Sequence, residues 1–343
     1  MKRTPVNYVG WKFLMQLTKQ PQLNLGVQQL RGLAALAVVL CHYGSDLKDY
    51  PLLSKIFNKG QIGVHVFFLI SGYIILHTLL KNNYRPRNFF SFLFKRMIRI
   101  DPPYICVIVL TLVTFWLFSF IPSYKGNTIP FIPEQFISHL LYLIPFTKWE
   151  FYNHIFWTLC VEFQFYIIIG TIYFISDSLI YRVSFLLLFC LSALVNFQNS
   201  YIIFNYAPIF ALGMAQMQYV NTKQNSYLIL MAINLFVIYY KFDALITIIL
   251  IVSGLIIYYY NHSLKAFTFL GNISYSLYLI HPLILIYILG IGKRLSNFEE
   301  SELLYLFVKL IIVIVAASIF YALVEKKSIS LAKRFKYNTD GSK

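Results

Sequence analysis

Residues 62–80 read IGVHVFFLISGYIILHTLL: nineteen positions without Asp, Glu, Lys or Arg, in which two imidazoles are the groups that titrate near neutrality. As an α-helix rising ~1.5 Å per residue, the stretch nearly matches the ~30 Å hydrocarbon layer of a bilayer. Working outward, blocks of similar length separated by short polar breaks recur at 28–44, 62–80, 100–121, 154–175, 179–195, 201–219, 226–241, 244–260, 268–290 and 302–324. Of the 343 residues, 59% are apolar and 12% charged, against about 45–50% and about 25% in soluble domains. No soluble core hides that much apolar surface, so the solvent is lipid. The predicted fold is all-α, a polytopic helical bundle of about ten transmembrane helices. It forms one domain over 1–343, core about 28–325, with no appended soluble domain. Gln28, Gln29 and Arg31 cut into the first block and must face protein or water.

Most of the 29 basic residues fall on the side that holds both termini, including Lys2, Arg3, Lys12, Lys19 and Arg31, the cluster from Lys81 to Arg99, and the tail from Lys326 to Lys343. Short cytoplasmic loops carry the positive excess, which predicts cytoplasmic termini. The formal charge of +16 then follows from topology, with anionic lipid headgroups rather than nucleic acid as the partner. Cys41, Cys106, Cys160 and Cys190 sit in apolar blocks without CxxC spacing. They read as packing residues, and no disulfide framework or metal site is indicated. The Gln-containing basic N-terminus lacks the early apolar run of a cleaved signal. The connection over 122–153, with Pro122, Pro130, Pro133 and Pro145, reads as a segment that folds back into protein at membrane depth.

Ionisable groups inside a bilayer cost several kcal/mol on insertion scales, and each needs a partner, a cavity or a task. His42 lies eleven residues beyond Arg31, about 16 Å of helix rise, which predicts a place near the midplane. The same reckoning gives Glu162 about 12 Å from one face and His281 about 20 Å from the other, so all three are expected at one depth. A buried carboxylate with two imidazoles is a kit for general base chemistry. Any one of them alone reads equally well as a polar tie between helices. Lys309 also lies inside a block. At the basic side, Arg96 and Arg99 stand three apart on one helix face and, with Arg31, offer forked donors to phosphate oxygens, although topology by itself accounts for basic helix ends. Ser71 and Gly72 fall mid-way along 62–80, where Gly permits close backbone approach.

Five strings in order, LRGLAALAVVLCHY (30–43), GVHVFFLISGY (63–73), KRMIRIDPPY (95–104), WTLCVEFQFY (157–166) and SYSLYLIHP (274–282), resemble the membrane acyltransferase 3 family. The resemblance implies transfer of an acyl group, usually acetyl from acetyl-CoA, across a bacterial inner membrane to a hydroxyl of a surface polysaccharide or lipid-linked glycan. It assigns His42 as candidate base and Arg31, Arg96 and Arg99 to the CoA phosphates. Ser71, Gly72, Glu162, Tyr166 and His281 match further motif positions. Many members carry Asp where this chain has His65, so Glu162 is the expected carboxylate partner of His42 and His65 is left as a pocket residue. The Pro that commonly follows the last Glu-Lys is replaced by Lys327 after Glu325 and Lys326. The expected protein is an acetyl-CoA-dependent O-acetyltransferase with no tightly bound cofactor. A proton-coupled carrier or glycan flippase using the same His and Glu groups as a relay is the alternative, with a glycan polymerase behind it.

Overall fold

The computed structural model describes residues 25–121, 129–195, 197–260, 262–292 and 301–335. Lys2, Arg3, Lys12 and Lys19, Pro122 and Lys125, and the basic tail beyond 335 lie outside the described residues. In chain order the helices are α1 (Leu25–Gly44), α2 (Pro51–Asn58), α3 (Ile62–Lys81), α4 (Phe89–Ser119), α5 (Pro133–Leu140), α6 (Trp157–Ile168) and α7 (Leu179–Leu191). There follow α8 (Ala207–Thr222), α9 (Asn225–Lys241), α10 (Ala244–Tyr259), α11 (Lys265–Asn272), α12 (Ser274–Gly292), α13 (Glu302–Phe320) and α14 (Lys326–Arg334). Each apolar block of the sequence contains helix, and among the described residues there is no strand.

Five helical stretches among the described residues are long and apolar enough to cross a membrane: Leu25–Gly44, Pro51–Lys81, Pro86–Ser119, His154–Tyr173 and Glu302–Arg334. A sixth counts if α11 and α12, bent by 69° at their junction, form one span. The chain is an integral membrane protein, and fewer than the expected ten stretches have crossing length and apolarity, for local reasons. Leu179–Leu194 and Ala244–Tyr259 are apolar but shorter. Helix α8 is buried at every position from Ala207 to Gln218, so it is lined by protein on all sides, the setting of a helix apolar all round.

The polar residues that interrupt the first block find protein partners. Gln28 Nε2 donates to Asn272 Oδ1 at 2.5 Å and Gln29 Nε2 to the His262 carbonyl at 2.7 Å, which ties α1 to the α11 region. Helix α4 runs straight through Pro102 and Pro103. Pro102 and Pro103 leave the carbonyls of Ile98 and Arg99 without backbone donors, and, one residue further on, the Tyr275 hydroxyl of α12 donates to the Ile100 carbonyl at 2.9 Å. Two glycines set the crossing of α3 and α8. A Cβ on Gly72 would meet the Phe210 carbonyl oxygen at 2.2 Å, and one on Gly213 would meet that of Leu69 at 2.2 Å. Helices α3 and α8 therefore touch backbone to backbone there.

The described part of the long connection is folded against protein. His139 of α5 is fully buried, its Nδ1 is 3.1 Å from the Tyr104 hydroxyl, and its Nε2 accepts from the Tyr152 N–H at 3.2 Å. Tyr142, in the left-handed region at φ 58°, donates its hydroxyl to Asp101 Oδ1 of α4 at 2.6 Å.

Candidate active site

Helices α1, α3, α4, α6, α12 and the turn between α13 and α14 line a cavity of about 210 Å³. Arg31 of α1, Arg96 and Arg99 of α4, Glu162 and Tyr166 of α6, Ser71 of α3 and Glu325 all line it. Three guanidinium groups and two carboxylates thus share one hollow, closed off elsewhere by apolar side chains such as Val27, Ile70 and Ile75. The spacing explains the convergence. Arg96 and Arg99 fall on one face of α4, and Glu162 and Tyr166, four apart on α6, present one stripe to the same space.

The charged groups are held in place. The Arg96 guanidinium lies 5.6 Å from the ring centre of Phe92 and 5.8 Å from that of Tyr166, a cation–π seat on two sides. The Ser71 hydroxyl donates to Glu162 Oε1 at 2.8 Å, and Tyr166 lies close to this carboxylate. Glu325, 3% exposed, accepts from the Ser276 N–H at 3.0 Å and from its hydroxyl at 2.5 Å. Arg31 and Arg99 lie close enough to Glu325 to act on it electrostatically. Fixed charges in a low-dielectric hollow bind an ionic ligand without first having to reorganise.

The imidazoles stand apart from this cavity. His42 occupies the last turn of α1, two residues before its end at Gly44, and its ring centre is 5.2 Å from that of His281. His281 is fully buried. Its Nδ1 is 2.7 Å from the Tyr278 carbonyl and 3.3 Å from that of Leu277. Those acceptors require the proton on Nδ1 of the neutral ring, which leaves the Nε2 lone pair free. Nε2 is buried and has no hydrogen-bond partner among the described residues. Tyr278 links the two regions: it lines the cavity and its ring centre is 5.9 Å from that of His281. Its hydroxyl meets Thr158 Oγ1 at 2.8 Å and the Ile155 carbonyl at 3.0 Å.

The sequence expectations are met unevenly by this geometry. The three arginines meet as expected, together with Ser71, Glu162 and Tyr166. His42 and His281 also meet, but Glu162 is not their partner. It belongs with Ser71 and the arginines, because rise along a helix gives depth and says nothing of which way a side chain points. Gly72 does not line the cavity; it faces the α8 backbone. His65 packs on Phe242 and Tyr206, with ring centres 5.1 Å and 6.3 Å away. Glu325 was missed as a site residue. Its signal was an acidic group closing the last apolar block, just before Lys326 and Lys327. Among the described residues no group of three His, Cys, Asp or Glu side chains is placed to hold a metal ion.

Comparison with known proteins agrees in direction. "Putative acetyltransferase ORF330" of Acidianus two-tailed virus is 30% identical over 166 residues, 48% of this chain and 45% of that relative, so the chain spans less than half of the relative's length. No solved structure matches. The family model Acyl_transf_3, described as an acyltransferase domain, covers residues 24–322, and over that length the chain belongs to the acyltransferase 3 family.

Proposed function

We propose that the protein is an O-acetyltransferase that takes acetyl from acetyl-CoA and esterifies a hydroxyl of a surface polysaccharide or lipid-linked glycan, in a bacterial inner membrane with ten spans and both termini cytoplasmic. The observation that carries the reading is the gathering of Arg31, Arg96 and Arg99 on one cavity, with Arg31 on the helix that also bears His42. Forked guanidinium donors suit the phosphates of CoA, and their side of the bundle is the one the positive-inside rule turns to the cytoplasm. Glu162 and Glu325 offset part of that charge and hold the arginines apart as separate donors.

With the phosphates on the arginines, the pantetheine arm runs towards Tyr278 and the thioester reaches the imidazole pair. His42, which is exposed, takes the proton from the acceptor hydroxyl. The hydroxyl oxygen attacks the thioester carbonyl, the carbon–sulfur bond breaks, and the thiolate leaves with the proton that His42 held. His281 Nε2, as an acceptor in want of a donor, orients the His42 ring, the part first expected of Glu162.

The test is alkali-released acetate from surface glycans of cells with the protein, without it, and with His42→Ala. Loss in both the deletion and the variant supports the enzyme and its base. Unchanged ester in both, with no protection of the purified protein by CoA against heat, overturns the reading in favour of a carrier or flippase.

A further inference from the structure

Helix α13 carries a lysine in an apolar run. Lys309 is 8% exposed, and an ammonium at such a place persists where it has partners and a task. Its Nζ donates to the carbonyl of Tyr43 at 2.8 Å and lies 4.7 Å from the centre of the Tyr305 ring, with Asp46 and Glu302 near enough to act on its charge. Tyr43 is the residue after His42, and its carbonyl is among the last four of α1, which lack intrahelical donors. A buried cation there meets both the unpaired oxygen and the negative end of the helix dipole.

Tyr43 is held at its other end too. Its hydroxyl donates to the carbonyl of His281 at 2.8 Å. One residue is thus gripped by Lys309 at the backbone and grips the backbone of His281 with its side chain, so the turns bearing the two imidazoles are fixed relative to each other. Two turns back along the same face of α13, Glu302 accepts from the N–H groups of Lys48 and Asp49, at 3.0 Å each. The last long helix therefore clamps the chain just beyond His42 at two points, and neither clamp touches the arginine cavity.

We infer that Lys309 is a positioning residue for acyl transfer: through Tyr43 it sets the rotation of the last turn of α1 and so the geometry of the His42–His281 pair. The inference rests on the reading of His42 as base. The experiment uses the full-length protein in membranes that contain its acceptor, and follows incorporation of labelled acetyl from acetyl-CoA into alkali-labile ester. Protection of the purified protein by CoA against heat is measured alongside. Lys309→Met and Tyr43→Phe are expected to lower kcat at least about tenfold, with KM for acetyl-CoA and CoA protection within about twofold of the parent. Lys309→Arg, which keeps a cation on the carbonyl, is expected to recover activity to within about threefold of the parent. Full kcat in Lys309→Met, where His42→Ala is inactive, overturns the inference and leaves the base assignment standing. Full activity in His42→Ala overturns the base assignment itself. Joint loss of kcat and CoA protection in Lys309→Met, with Tyr43→Phe fully active, makes Lys309 a residue of the scaffold and also overturns the inference.

Discussion

The arginine cavity and the imidazole pair share a helix and little else. At Arg31, α1 faces a hollow with five charged side chains drawn from four parts of the chain; at His42, eleven residues on, it faces a buried ring and a set of backbone carbonyls. The first region is built to hold charge, with the Arg96 guanidinium seated on aromatic faces and carboxylates tied to serines. The second fixes a tautomer and leaves one nitrogen unengaged. On the function proposed above, the contrast separates recognition from chemistry along about 16 Å of one helix. A donor that spans both regions is a long molecule with its charge at one end and its reactive group at the other.

Four substitutions break or sharpen that division. His42→Ala is expected to reduce acetyl transfer on the order of a thousandfold, the range of a lost general base, and to leave heat protection by CoA intact. Loss of that protection as well would merge the two regions into one. Gly72→Ala puts a Cβ 2.2 Å from the Phe210 carbonyl, outside both regions. It is expected to lower stability by about 1–3 kcal/mol, as overpacking does, read as a lower melting temperature with the increment from CoA unchanged. Arg96→Lys keeps the charge but loses the planar fork stacked over Phe92 and Tyr166. It should raise KM for acetyl-CoA about tenfold with kcat within about threefold, and a kcat-only effect would place Arg96 with the chemistry.

The smallest effect is expected on the surface. Arg85 binds Asp177 and holds its carboxyl below the ordinary range, with Arg182 adding to the effect. With half of each Asp177 and Arg85 side chain exposed, Asp177→Asn costs at most about 1 kcal/mol. A depressed carboxylate stabilises the fold above its unfolded pKa and ceases to do so as pH falls through the folded one. The difference in melting temperature between parent and variant should therefore be present at neutral pH and vanish in acid.

How far the sequence discloses this arrangement differs between the regions. Arg96 and Arg99 were legible because three-residue spacing on a helix fixes a common face, and Arg31 because a cation opening an apolar block must meet something polar. The helices themselves were legible in the apolar blocks, but crossing length was not: α8 is apolar because α3, α7 and α9 surround it, and burial in protein selects the same residues as burial in lipid. Reckoning depth from Arg31 put His42 at mid-membrane, while the helix stops at Gly44 and makes it a terminal residue. Ser71 as the partner of Glu162 was out of reach, since the two are 91 positions apart and their meeting depends on how α3 and α6 pack. Glu325 was hidden by its basic neighbours, which made it look like the start of a tail.

Glu325 ends a π-helical turn, Tyr321–Glu325, between α13 and α14. Such a turn holds one residue more than the α-helix on either side, a surplus that the helix takes up locally without breaking. A residue removed from 321–324 is therefore one the helix can give up, whereas one removed from the regular helix α13 would rotate everything downstream by about 100°. The carboxylate would swing away from Ser276, and Ser328 and Ala332, buried where α14 packs on α4, would turn outward. A deletion in α13 preserves composition, charge and hydropathy almost entirely, yet it would disconnect the end of the chain from the cavity it completes.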